Sequence, residues 1–152
     1  MNQSVDQTIK HLVSKGLVLK NSNHEVVATL SFDLGRIKSQ GKQHLFFEGD
    51  QEVVPYQSSS DLIFNDANLL IFKKLAVHPK YANSGIGKAI LKKVEEMAIE
   101  YNFDGVLLET VEDADWLYNW YLNENFSPIG HYTYPSRPLV TVLMFKPRKD
   151  LN

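Results

Sequence analysis

The chain has no cysteine in its 152 residues. That excludes disulfides, thiolate nucleophiles and Cys-type zinc sites, and it is the usage expected of a cytoplasmic protein. It lacks any run approaching the roughly 18 apolar residues of a transmembrane helix. The polar start, Met1–Asp6, lacks the apolar core of a secretory leader. It also lacks a basic excess: 16 Lys and Arg against 18 Asp and Glu leave a net charge of −2, which argues against a nucleic-acid partner. No internal repeat or low-complexity tract is present. What remains is an ordinary globular composition, long enough for one domain with a real core and too short for two. The expectation is a single domain over residues 1–152.

Apolar periodicity places the elements. Val5, Ile9, Leu12 and Val13 recur at helical spacing, which predicts a short amphipathic helix over 4–14 ended by Gly16. Leu17–Lys20 and Glu25–Phe32 read as strands joined by a turn at Asn21–His24. Residues 33–66 are the least regular stretch and are expected to form an irregular insert, a candidate acceptor-specificity loop. Ala67–Val77 reads as a central strand, and the residue before Pro79 is biased away from helix. A helix follows Ser84, with Ile86, Ile90, Val94, Met97 and Tyr101 on one face. Val106–Thr110 is the next strand, so the three form a strand–helix–strand unit with a parallel pair. Asp113 or Asp115 is a candidate cap for a helix running to about Glu124, and Asn125 suits a left-handed helix end. Ile129–Tyr134 and Leu139–Lys146 predict a closing hairpin, followed by a polar tail expected to fray.

The chemistry concentrates in Leu75–Ala89, LAVHPKYANSGIGKA. A strand feeding a helix through a glycine-containing loop aims backbone N–H groups and the positive helix end at one point, which suits a phosphate. A triphosphate loop needs a glycine where Ala82 stands and a hydroxyl where Ala89 stands. A dinucleotide loop would use Gly85, Gly87 and Glu109, but its third glycine position is Ile90 and the approach from Val77 is too long. Lys88, Lys92 and Lys93 crowd the positive end of the helix while Glu95, Glu96 and Glu100 lie in its second half. That order opposes the dipole unless an anion docks there.

A third reading is a coenzyme A loop. Val77-His78-Pro79 followed by Ala82-Asn83-Ser84-Gly85-Ile86-Gly87 resembles the acetyl-CoA motif of the GNAT acetyltransferases. The resemblance spans about Leu70 to Gly130 and includes Tyr121 five residues before Phe126, which looks like the family's tyrosine and its following Gly-Phe. It implies an α/β (α+β) GNAT fold: a mixed, mostly antiparallel sheet with one splayed parallel pair, flanked by helices. It implies acetyl-CoA as co-substrate, no metal, and transfer of acetyl to a primary amine by direct attack. The acceptor class would be a small molecule or a peptide amine, with no membrane and with homodimers frequent in the family.

The resemblance also implies site residues. Leu75 and Val77 would pair with the pantetheine arm. The N–H groups of Asn83, Ser84, Gly85, Ile86, Gly87 and Lys88, with the Ser84 hydroxyl, would hold the pyrophosphate. Tyr121 would be the general acid. The base stays open between Glu109, Glu48, Glu52 and a water chain, with Glu109 placed first. Two family positions depart: Ala82 replaces an Arg or Gln, and Ala114 replaces a frequent Asn. A CoA-binding sensor or interaction module without transfer is the alternative reading. His131 and Tyr132 are candidate acceptor-pocket residues, and His78 reads as structural.

Overall fold

The structure is a computed structural model that describes residues 17–41, 44–47, 51–59, 62–133, 136 and 138–151. The helix expected over 4–14 and the candidate base Glu48 lie outside the described residues. The chain begins with the expected hairpin, β1 (Leu17–Lys20) and β2 (Val26–Gln40). Its turn is closed by Asn21, whose side-chain oxygen accepts the N–H of Asn23 at 2.9 Å and of Glu25 at 3.1 Å. An Asx turn of this kind lets a short polar side chain replace a strand partner.

The stretch 33–66 is not the irregular insert expected. β2 continues to Gln40, and β3 (His44–Phe47) and β4 (Gln51–Pro55) follow before a 3₁₀ turn at Gln57–Ser59. Polar residues and Gly35 hide the period of β2 after Phe32. Its backbone is nevertheless paired, with β5 (Ala67–Val77) from Ala28 to Ile37 on one edge and, at its two ends, with β1 and β3 on the other. Main-chain pairing therefore carries the strand where side chains do not announce it.

From β5 the chain crosses over through α1 (Ile86–Glu100) to β6 (Gly105–Val111), then through α2 (Asp115–Asn123) to β7 (Ser127–Thr133) and β8 (Val140–Pro147). The order is β1-β2-β3-β4-β7-β8-β6-β5, and β2 also pairs β5, so the sheet closes on itself. Among the described strands β5 and β6 form the one parallel pair. Two apolar clusters result. Ile37, Phe47, Ile71, Leu107, Leu143 and others fill the concave side of the sheet. Leu30, Phe72, Leu108 and Tyr121 meet Ile90, Val94 and Met97 of α1 on the helical side.

The β5–β6 ladder runs from Leu69↔Gly105 to Phe72↔Leu108 and stops there. β5 then deviates. Lys74 has φ of +57°, and the β2–β5 register passes from Ser31↔Lys73 to Thr29↔Ala76, leaving one extra residue on β5. A bulge with a non-glycine residue in the left-handed region costs about 1–3 kcal/mol and bends the strand. The bend opens a gap between the ends of β5 and β6.

The helix ends are finished by side chains from the far end of the chain. Asn102 and Asn125 take φ of +61° and +70°, and Asn125 acts at the left-handed position expected of it. The Phe126 N–H then closes on the Tyr121 carbonyl at 3.1 Å. The tail expected to fray is docked instead. Its Arg148 guanidinium donates to the carbonyls of Phe103 at 3.0 Å, Ile99 at 3.3 Å and Ala98 at 3.4 Å, closing the negative end of α1. Neither Asp113 nor Asp115 caps α2. Ala114 occupies that position without a side-chain bond, and Asp115 lies in the first turn, where its charge suits the helix dipole.

One ion pair is almost wholly enclosed. Lys146 of β8 meets Glu95 of α1 at 2.5 Å with side-chain exposures of 3% and 7%. The same ammonium donates to the Glu124 carbonyl at the end of α2, at 3.1 Å, and lies over the Phe126 ring. A single residue thus ties both helices to the sheet. Lys146→Met strands the Glu95 carboxylate and is expected to cost about 3–5 kcal/mol of unfolding free energy in urea titration. The double variant Glu95→Leu with Lys146→Met should recover most of that loss, because no buried charge is then left alone.

Candidate active site

The loop between β5 and α1 is built from short polar closures. The His78 N–H donates to the Val27 carbonyl at 2.7 Å, which anchors the end of β5 to β2. The His78 ring accepts the Lys80 N–H at 3.1 Å and so caps the 3₁₀ turn Pro79–Tyr81. This is the structural role expected of that histidine. The Tyr81 hydroxyl accepts from Asn21 at 2.8 Å and pins the turn to the first hairpin. Asn83 and Gly85 then take φ of +62° and +84°. Gly85 sits at the start of α1, where the left-handed turn swings the helix end toward the loop.

The consequence is a set of unspent donors. The N–H groups of Asn83, Gly85, Ile86, Gly87 and Lys88 have no backbone acceptor among the described residues, while the Ala89 N–H begins the helix ladder on Gly85. Ser84 differs from its neighbours. Its N–H and its hydroxyl both donate to the Tyr81 carbonyl, so it braces the loop from within.

These donors border an open cleft of about 650 Å³. Of the residues singled out in sequence, Leu75, Val77, Asn83, Gly85, Ile86, Gly87 and Lys88 line it together, and Ser84 does not. The opposite wall is α2, through Trp116, Leu117, Asn119, Trp120, Asn123 and Glu124. The motif points to Tyr121 and Phe126 and carries no signal for this wall, which depends on how α2 packs. The two tryptophans stand four residues apart on one side of α2, Trp120 half-buried against the helical-side cluster and Trp116 reaching out beyond it. Trp120 packs so closely on α1 that a Cβ added at Gly87 would stand 3.2 Å from its ring. Trp116 is 76% exposed at the lip. Lys88 and Glu124 form an ion pair across the cleft at 3.7 Å.

Tyr121 lies inward of this wall, 3% exposed, with its ring edge-on to Phe72 and Phe126 at centroid distances of 6.0 Å. Burial pushes its phenol well above the ordinary range. Glu109 lies on the other face of the sheet. It pairs in register with Leu143 of the concave cluster, and its carboxylate is 3.9 Å from the Lys73 ammonium. Lys73 also approaches Asp33 at 3.6 Å. Glu52 is engaged elsewhere, with His44 at 3.1 Å on the exposed outer strands. Tyr132 is 4% exposed beside Phe47, and the His131 ring meets Tyr56 at 5.3 Å. The Tyr56 phenol is raised by burial first and by Tyr118 and Glu112 next.

Among the described residues no group of three or more His, Asp or Glu is placed to hold a metal ion, and no helix is long and apolar enough to cross a membrane. Solved structures share the fold. NAA60 of Arabidopsis thaliana, in complex with acetyl-CoA, is 17% identical at a TM-score of 0.57, covering 84% of this chain and 70% of that one. Naa20 of Chaetomium thermophilum, in complex with a bisubstrate analogue, is 12% identical at a TM-score of 0.59, covering 99% and 76%. A point mutant of the spermidine N-acetyltransferase SpeG of Vibrio cholerae is 10% identical at a TM-score of 0.55, covering 95% and 73%. A search of curated protein sequences found no match. The model of the acetyltransferase (GNAT) domain matches residues 40–128, more than half of the chain. With the splayed parallel pair and the donor-rich loop in place, the chain belongs to the GNAT acetyltransferase family, a class of acyl-CoA-dependent N-acyltransferases.

Proposed function

We propose that this chain transfers an acetyl group from acetyl-CoA to a primary amine of a small molecule or peptide, acting as one cytoplasmic domain over residues 1–152. The observation that carries this reading is a coincidence within one cleft. The end of β5, unpaired by β6 beyond Phe72, and a cluster of unspent N–H groups at the start of α1 border the same space. A strand edge suits the amide-bearing pantetheine arm, and a donor cluster at a helix start suits its pyrophosphate. When bound, acetyl-CoA supplies a thioester, an acyl group already activated toward an amine.

The chain's own residues divide the remaining work. Leu75 and Val77 hold the arm by main-chain bonds. Asn83, Gly85, Ile86, Gly87 and Lys88 hold the phosphates, with Ser84 bracing the loop. Ala82 adds no side-chain contact, so affinity rests on backbone donors and on Lys88. Glu109 takes the proton from the incoming ammonium, and Tyr121 returns one to the departing sulfur. Glu109 and Tyr121 sit on opposite faces of the sheet, which suits an amine arriving from the concave side and a cofactor arriving from the helical side. The spermidine acetyltransferase among the structural neighbours supports an amine acceptor.

The second reading, a CoA-binding module without transfer, is favoured by Ala82 and by the Lys88–Glu124 pair across the cleft. One assay separates the two. Acetyl-CoA is mixed with a panel of amines and free CoA is followed with a thiol reagent, to which this cysteine-free chain contributes no background. Amine-dependent release is expected; tight binding with no release from any amine would move the reading to the module.

Two variants probe the parts. Tyr121→Phe should lower turnover by about 10²-fold. Burial lifts this phenol in the folded state, so its contribution is intact below pH ~10 and is lost as pH rises past that ordinary value. Stability of Tyr121→Phe should therefore fall less between roughly pH 9 and 11 than that of the wild type. Glu124→Gln should release Lys88 and tighten acetyl-CoA binding several-fold in low salt, and Lys88→Ala should weaken it, both differences shrinking as salt is added. Calorimetric titration at two salt concentrations checks this pair.

A further inference from the structure

β6 is apolar over Val106-Leu107-Leu108, and then carries one polar side chain with nothing to bond. Thr110 is 5% exposed, and its Oγ1 is sealed from solvent without a hydrogen-bond partner among the described residues. An orphaned buried hydroxyl is a burden that a valine of the same shape would not bring. Its position gives the burden a use. Strand alternation puts Thr110 on the face of Val106 and Leu108, the helical side where Tyr121 covers Phe72. Its neighbour on β8 is Val142, another member of the helical-side cluster. Toward β5 the ladder has already ended at Phe72↔Leu108, two residues earlier. Thr110 therefore stands about 6–7 Å along β6 from the apex of the splay, where an arm lying against Leu75 and Val77 would bring its reacting end.

We propose that Thr110 is a catalytic residue whose hydroxyl donates a hydrogen bond to the thioester sulfur as the carbon–sulfur bond breaks. The assignment rests on the acetyl-CoA reading above. In the transfer the amine nitrogen bonds to the carbonyl carbon. The carbon–sulfur bond breaks with its electron pair going to sulfur. The proton lost by the amine leaves through the base, and one proton is delivered to sulfur, so that amide and free thiol are the products. Tyr121 holds its proton tightly because it is buried, whereas an ordinary thiol ionises near ~8.5. Delivery from such a phenol is uphill until charge has built on sulfur, and a second donor there holds that charge meanwhile. The charged residue of β6 itself, Glu109, and its partner Lys73 on β5 face the concave side.

The test needs no acceptor. CoA itself is bound to the wild type, Thr110→Val and Thr110→Ser, and its thiolate absorbance is followed against pH; the chain has no cysteine to interfere. The bound thiol should ionise at roughly one pH unit higher in Thr110→Val, a tenfold change, with Thr110→Ser restoring the wild-type value. Thr110→Val should also unfold at higher urea, since it removes an unpaired buried hydroxyl. Equal titration of CoA bound to all three proteins would overturn the role of Thr110 while leaving the cofactor site standing. Failure of CoA to bind the wild type would overturn the cofactor reading and this assignment with it.

Discussion

The bulge at Lys74 is the constraint on which the rest depends. β5 must pair with β2 along its whole length to close the sheet, yet it must part from β6 after four residue pairs. A strand cannot do both while straight. Inserting one residue at Lys74 bends β5 and keeps its hydrogen bonds to β2, at the cost of a strained backbone angle. Everything attributed to the site lies downstream of that bend: the free edge at Leu75 and Val77, the turn at His78–Tyr81, and the donors that open α1.

A strained strand needs a stiff frame, and the frame is electrostatic as well as apolar. Lys146 binds Glu95 of α1 and the last carbonyl of α2 from beneath, and Arg148 closes the far end of α1. The two helices that wall the cleft are thus fixed to neighbouring positions on β8 and just beyond it. Their contact at Gly87 and Trp120 leaves no room for a methyl group without movement. The start of α1 is left without a side-chain cap or an acidic first turn. By contrast, α2 carries Asp115 in its first turn, and the far ends of both helices are closed within the chain. The start of α1 therefore stands out among the described helix ends for its unsatisfied donors, the feature on which the proposed phosphate site rests.

Much of this was legible in the sequence where local chemistry decides. The span of β5, the crossover helix and the parallel pair followed from an apolar run broken only by Asn68, Lys73 and Lys74, a 3.6-residue period and Pro79. Asn125 was readable because few residues accept its backbone angle. The strands between 33 and 66 were not readable, since β2 after Phe32 is held by main-chain pairing, first with β5 and then with β3, and Gly35 and charged residues conceal its alternation. Arg148 was missed for a similar reason: its value lies in carbonyls about 50 positions earlier in the chain. Within the site, the loop donors followed from the motif, but the inward turn of Ser84 and the wall formed by Trp116 and Trp120 depend on tertiary packing. Thr110 carries no motif at all, and becomes conspicuous only once its neighbours fail to bond it.

In the proposed function the bent end of β5 and the opening turn of α1 form one cradle for an acyl-CoA. Amide hydrogen exchange with and without acetyl-CoA tests it most directly. Added ligand should slow exchange at Leu75–Val77 and at Asn83–Lys88 together, while the outer strands His44–Phe47 and Gln51–Val54 keep their rates. Saturating acetyl-CoA that leaves both segments unchanged, or protects the outer strands instead, would contradict it.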